Sequence, residues 1–216
     1  SGGPPSSYLW SNSQTGNPIT VSVPGTYTVT VSNATICPAT ASVSVIQSPA
    51  PITLIGQPPQ LNCSFPQTVL NASASSSDSN HVFLWTTVGG NFVSGQNTLT
   101  PTVDASGTYT LLITNSLTGC TSSASVTVTS NMQAPPAPVG APSTLTCTVT
   151  TLNIGPSSPP MDTTLVPSWS AGPGGNIVSG QGTWAPIVNL PGTYTLLVTD
   201  PSNGCTSTNS VLISQN

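Results

Sequence analysis

Apolar residues alternate with small hydroxyl residues in short runs along the chain, as in Thr28-Val29-Thr30-Val31, Ala41-Ser42-Val43-Ser44-Val45 and Ala124-Ser125-Val126-Thr127-Val128. A two-residue period puts successive side chains on opposite faces, so these runs predict half-buried β-strands. No helical period competes with them. Turns are predicted at Pro24-Gly25, Gly89-Gly90, Gly119, Gly172-Pro173-Gly174-Gly175, Pro191-Gly192 and Asn203-Gly204, where the residue types favour a fixed or positive φ.

The pattern recurs. Tyr27 to Asn33 (Tyr-Thr-Val-Thr-Val-Ser-Asn), Tyr109 to Asn115 (Tyr-Thr-Leu-Leu-Ile-Thr-Asn) and Tyr194 to Asp200 (Tyr-Thr-Leu-Leu-Val-Thr-Asp) each follow Gly-Thr and precede a Cys. Self-similarity at a spacing of about 84 residues marks copies of one structural unit rather than one large fold. Trp85, Gly89-Gly90 and Val93-Ser94-Gly95-Gln96 match Trp169, Gly174-Gly175 and Val178-Ser179-Gly180-Gln181, and Leu61-Asn62-Cys63 matches Leu145-Thr146-Cys147. Copies two and three are therefore complete, whereas copy one has Trp10 and Tyr27 but lacks the segment that would carry a first Cys. Ser48-Pro49-Ala50-Pro51 and Ala134-Pro135-Pro136-Ala137-Pro138 read as semi-rigid spacers. The expected division is 1–47, 48–130 and 131–216, laid end to end.

Short strands, frequent turns, a Trp on an early strand, a Tyr opening a late strand and a recurring Cys pair predict an all-β protein built of immunoglobulin-like sandwiches, the first incomplete. Trp10, Trp85 and Trp169 are the expected core indoles. Tyr27, Tyr109 and Tyr194 are the expected tyrosine corners, in which the phenol ties a late strand to upstream backbone. Recurrence of the Cys pair predicts one disulfide per complete repeat, Cys63–Cys120 and Cys147–Cys205, with Cys37 unpaired or bonded to another subunit. Such bonds imply an oxidising compartment.

Composition narrows the partners. The 216 residues include no Lys or Arg, four acids (Asp78, Asp104, Asp162, Asp200) and one His, for a net charge of −4. Contact with phosphate requires cationic side chains, so nucleic acid and anionic membrane surfaces are excluded as partners. Weak net charge also leaves little repulsion between copies, which favours a polymer. No apolar run is long enough to span a bilayer and no secretory leader opens the chain, so Ser1 reads as a mature or processed start.

Little of the chemistry of catalysis is present. His81 follows Asp78-Ser79-Asn80 at the edge of a strand and has no counterpart in copy three, so it reads as a solvated side chain and the protein as a non-enzyme. The scattered aspartates do not supply the several carboxylates that Ca²⁺ takes, and no Cys-x-x-Cys suggests zinc, so no cofactor or metal is expected. Trp184 lacks an indole counterpart in copy two and reads equally well as a glycan or interface contact and as packed surface. Asn33 and Asn71 head Asn-x-Ser/Thr triplets, as does Asn62, and Thr163 follows Asp162; Asn33, Asn71 and Thr163 are candidate glycosylation sites.

The run Gly192 to Thr208, with the preceding Trp-x-x-x-x-Gly-Gly and Ser-Gly-Gln motifs, resembles the PKD-like and immunoglobulin-like repeats of large Bacteroidota surface proteins. The Asp162-Thr163-Thr164 triplet also resembles the O-glycosylation motif of that phylum. The resemblance implies stalk and adhesin modules outside the cell, at its surface. Two functions fit: a structural subunit of a filament or stalk that polymerises head to tail or adjoins further repeats of a longer chain, and an adhesin segment that presents its loops to glycans or surfaces.

Overall fold

The computed structural model describes residues 7–33 and 36–216. Every regular element among them is a β-strand. Copy one contributes β1 (Ser7–Trp10), β2 (Gly25–Asn33) and β3 (Ile36–Val45). They form one antiparallel sheet in the order β1-β2-β3.

Copy two contains β4 (Leu61–Asn62), β5 (Thr68–Val69), β6 (His81–Val88), β7 (Phe92–Ser94), β8 (Thr102–Val103), β9 (Gly107–Asn115), β10 (Thr121–Val128) and β11 (Ser130–Asn131). One layer is β10-β9-β6, the opposing layer is β5-β8-β7, and β11 pairs in parallel with β4. Copy three contains β12 (Ser143–Leu145), β13 (Leu152–Asn153), β14 (Val166–Ala171), β15 (Ile177–Ser179), β16 (Ile187–Val188), β17 (Gly192–Thr199) and β18 (Thr206–Gln215). Its layers are β12-β18-β17-β14 and β13-β16-β15. This is a tandem of immunoglobulin-like β-sandwiches.

The sequence period explains each core. Along β9, Tyr109, Leu111 and Ile113 are buried, and along β17 Tyr194, Leu196 and Val198 are, because alternate side chains of a strand face the second layer. Trp85 and Trp169 fill the centres of two separate clusters, with Leu61, Leu70 and Val103 around the first and Leu145, Ile154 and Val188 around the second. Each indole N–H is satisfied by a backbone carbonyl, Trp85 on Thr98 at 2.8 Å and Trp169 on Thr183 at 3.2 Å.

The tyrosines form the same corner three times. Each phenol donates to the carbonyl four residues upstream: Tyr27 to Val23 at 2.7 Å, Tyr109 to Ala105 at 2.7 Å and Tyr194 to Leu190 at 2.6 Å. In copies two and three the phenol oxygen also accepts an amide N–H, from Asn91 and from Asn176, both at 2.9 Å. Gly90 is obligatory beside this corner, since a Cβ there would collide with the Tyr109 hydroxyl.

Candidate functional site

Two elements meet where copy two joins copy three. The first is the hairpin turn between β17 and β18. Asp200 starts it by accepting the Ser202 amide at 2.9 Å and the Ser202 hydroxyl at 2.7 Å on Oδ1, the local bonding for which Asp is favoured in turns. Gly204 at φ 70° allows its amide to return to the Asp200 carbonyl at 2.8 Å, and Asp200 N donates to the Cys205 carbonyl at 2.9 Å. The second element is the bend after β4, where Asn62 N reaches Phe65 O at 3.1 Å and Phe65 N reaches Asn62 Oδ1 at 2.8 Å.

Asn203 locks the two together. Its carbonyl accepts Cys63 N at 2.9 Å and Ser64 N at 3.3 Å, while its Nδ2 donates to Asn131 Oδ1 at 3.2 Å and Gln133 O at 3.0 Å. Its Oδ1 accepts Cys205 N at 2.8 Å, so both polar atoms of the side chain of a residue only 2 % exposed have partners. Beside it, Cys63 and Cys205 form a disulfide with a Cα–Cα distance of 5.0 Å, inside the ordinary range. A Cβ at position 204 would strike the Ser64 side chain, so the close approach as well as the positive φ demands glycine.

This bond corrects the expected pairing. Cys63 and Cys205 are bonded to each other across the joint, and Cys37, Cys120 and Cys147 are unpaired. The reason is strand length. Cys120 precedes β10 and Cys63 follows the β4 strand, which pairs with β11 beyond the far end of β10; the eight residues of β10 separate them. At ~3.3 Å per residue that is about 26 Å, whereas bonded cysteines have Cα atoms within about 7 Å. The ten residues of β18 likewise separate Cys205 from Cys147, since Leu145 pairs with Gln215. Copies two and three therefore each carry their two cysteines at opposite ends.

Unused versions of both elements are preformed. The turn at Asn115–Cys120 closes with Asn115 N to Cys120 O at 2.9 Å and Gly119 N to Asn115 O at 2.8 Å, with Gly119 at φ 69°. Its tip is uncovered, with Leu117 76 % exposed, and the Cys120 sulfur lies 3.9 Å from Ser48 O. The bend at 146–149 repeats the one at 62–65, with Thr146 N to Val149 O at 3.0 Å and Val149 N to Thr146 Oγ1 at 2.9 Å, and it leaves Cys147 exposed.

Copy one is open on one side. Its strand β2 has the Gly-Thr-Tyr sequence of β9 and β17, yet none of its residues is buried. Trp10 and Tyr27 are half-buried and, with Ile19, Val21, Val43 and Val45, line a concavity of about 170 Å³. The Trp10 N–H bonds Gly16 O at 3.0 Å.

The remaining sequence candidates lie apart from the joint. His81 Nδ1 is 2.9 Å from Asp78 Oδ1, and His81 N donates to Asp78 O at 3.1 Å, so the pair closes the turn that enters β6. Trp184 is half-buried and packs against the core of copy three. Asn71 is exposed, its Oδ1 engaged by Ser73 N and Oγ at 3.0 and 2.7 Å. Thr163 is exposed in a loop where Asp162 Oδ1 accepts Thr164 Oγ1 at 2.6 Å and Thr164 N at 2.9 Å, which holds the Asp162 carboxyl below its ordinary range. For the Asn33 triplet, Ala34 and Thr35 lie outside the described residues. Among the described residues no three His, Cys, Asp or Glu side chains come together as a metal site.

No family model and no curated protein matches the chain. Among solved structures, the titin fragment I67–I69 aligns over 100% of this chain and 90% of its own at 13% identity, with a TM-score of 0.40. The three N-terminal domains of the bacteriophage RB49 outer capsid protein Hoc align over 98% and 88% at 12% identity, TM-score 0.42. The N-terminal eight immunoglobulin domains of Down Syndrome Cell Adhesion Molecule align over 97% of this chain and 33% of that one at 14% identity, TM-score 0.39. Likeness of this degree carries no argument about role, and function is argued from the joint and the open face.

Proposed function

We propose that the protein is an extracellular structural subunit of a cell-surface filament or stalk of the PKD-like type, with three repeats at 1–47, 48–130 and 131–216 and no enzymatic activity. Subunits assemble head to tail, and the neighbour of one chain completes the first repeat of the next. The open face of copy one carries this reading. A single sheet with Trp10, Tyr27 and Val43 turned to solvent gives up about 25 cal/mol for each Å² of apolar surface left uncovered. Its unpaired strand edge is a further site for addition. The locked joint supports the same reading, because a rod that transmits load needs fixed angles between its units.

Sedimentation velocity and negative-stain microscopy of the purified chain test it. Regular filaments, together with protection of residues 7–45 from pepsin that depends on protein concentration, are expected. A monodisperse monomer in which residues 7–45 resist pepsin at every concentration overturns the proposal. Isolated rods that retain a glycan would assign the protein to adhesion instead.

A further inference from the structure

The bend that follows β4 carries a side chain that its fold does not use. Of the three phenylalanines, Phe83 and Phe92 pack against the core of copy two, whereas Phe65 is 69 % exposed. The bend employs only the backbone of residue 65, whose N–H donates to Asn62 Oδ1 and whose carbonyl accepts Asn62 N. In copy three Val149 makes the equivalent bonds with Thr146 and brings no aromatic ring. Phe65 stands on a fixed support, because Cys63 is bonded to Cys205 and the Cys63 and Ser64 amides are held by the Asn203 carbonyl. With Pro59, Gln60, Asn62, Gln67 and Thr68 it lines an open groove of about 460 Å³, inside the range of about 300–1,000 Å³ typical of ligand sites.

We propose that this groove binds a neutral glycan, one pyranose stacking its C–H face on the Phe65 ring while the Gln60 and Gln67 amides pair with its hydroxyls. The chemistry of the walls selects that class. No charged side chain lines the groove, so a phosphate, an acidic sugar or a basic peptide finds no counter-charge there. An exposed aromatic face is negative and attracts the weakly positive C–H groups of a sugar ring. Each primary amide offers two donors and an acceptor, which matches the paired donor and acceptor of adjacent hydroxyls. The Gln60 and Gln67 side chains make no hydrogen bond to any described residue, so both amides are available to a ligand. Copy three supplies the contrast: Thr144, Val149 and Thr151 stand where Gln60, Phe65 and Gln67 stand in copy two, so neither the ring nor the long amides are a requirement of the repeat. The groove lies at the end of copy two remote from the Cys120 contact with Ser48, so its occupation does not depend on what completes copy one.

Solution NMR of the whole chain tests it, with neutral hexasaccharides of glucose, mannose, xylose and N-acetylglucosamine as probes at millimolar concentration. At least one of them should shift the Gln60 and Gln67 side-chain amide resonances and the Phe65 backbone amide, and leave the bend at 146–149 unmoved. Phe65→Ala should weaken binding about tenfold and Gln67→Ala several-fold, whereas Phe65→Tyr retains it. Both side chains are exposed, and unchanged melting of each variant would establish that the bend is intact; if Phe65→Ala melts early, Gln67→Ala reads the same site. Absence of a shift with every probe, or shifts that survive Phe65→Ala and Gln67→Ala, overturns the proposal. Shifts at this groove from an Ala-Pro-Pro-Ala-Pro peptide and from no sugar overturn it in favour of a proline-rich partner. The outcome is separable from polymerisation: filaments that bind no sugar leave the head-to-tail reading standing and remove the glycan site, and monomers that bind sugar through Phe65 do the reverse.

Discussion

Strands β2 and β9 share the Gly-Thr-Tyr-Thr opening and a tyrosine corner but differ in cover. Tyr109, Leu111 and Ile113 of β9 lie sealed beneath a second layer, while the equivalent residues of β2, Tyr27, Val29 and Val31, are half-exposed. The corner bond forms in both, at 2.7 Å, so the local sequence is sufficient for the hairpin and its Tyr anchor. It is not sufficient for a core. The turns at 200–205 and 115–120 repeat the lesson at the scale of a joint: they share backbone bonds, but one is docked through a disulfide and the other keeps a free thiol and an exposed Leu117. In both comparisons the element is encoded locally and its stability is supplied by whatever packs against it.

The largest test of this contrast is removal of the indoles. Trp85→Ala should cost about 3–5 kcal/mol, because the site is fully enclosed and cannot collapse. Trp10→Ala in the isolated monomer should cost about 1 kcal/mol, since the indole is already half in water. Urea titration followed by pulse proteolysis of each segment reads both. Equal costs would mean that copy one has a cover of its own.

Glycine replacement probes the turns. Gly119→Ala meets no neighbour within 4 Å and should cost only the left-handed backbone penalty, about 1 kcal/mol. Gly204→Ala adds a collision with Ser64 to the same penalty and should open the joint as well. Alkylation of Cys63 and Cys205 after mild reduction and reoxidation should rise in Gly204→Ala and stay at the wild-type level in Gly119→Ala. Similar alkylation in both variants would argue against close docking.

Much of this was legible in the chain and one important part was misread. The two-residue period located the strands, and the Gly-Thr-Tyr motif located the corners, because both depend on local chemistry. The disulfide pairing depended on where each Cys lies along its strand. In an immunoglobulin domain with an internal bond the second Cys follows the corner Tyr by about two residues; here Leu111 and Leu196 take that position and are buried, while Cys120 and Cys205 lie in turns. That spacing was the available signal. The role of Asn203 was not legible, since its partners Asn131 and Gln133 lie 72 and 70 residues upstream in sequence and its counterpart in copy two is Thr118.

Smaller effects sharpen the same contrast. Tyr194→Phe should cost about 1 kcal/mol or somewhat more, because it leaves both the Leu190 carbonyl and the Asn176 amide unpaired beside a core. Tyr27→Phe should cost less, as the Val23 carbonyl lies at an exposed site and can turn to water. Differential scanning calorimetry compares the two. Equal shifts in melting temperature would show that cover contributes nothing to the corner.

The smallest expected effect lies in the uncovered loop at Asp162. Hydrogen bonds from Thr164 lower its folded pKa, so their stabilisation is present above the ordinary carboxylate pKa and is lost as pH falls through the lowered value. The Thr164 amide resonance should move in that acidic range, and Thr164→Ala should return the midpoint towards the ordinary value. A midpoint unchanged by that substitution would rule out the hydrogen bonds as its cause.

The Cys63–Cys205 bond also fixes the path of a pulling force. Tension applied to the two ends of the chain crosses directly from residue 63 to residue 205, so the 142-residue span between them carries none of it along its backbone. At ~3.5 Å per extended residue, about 500 Å of contour is held in reserve. An oxidised molecule pulled in an optical trap should stop short by that length, and a reducing agent should release it, which makes the joint a mechanical fuse whose setting is the redox state of its surroundings.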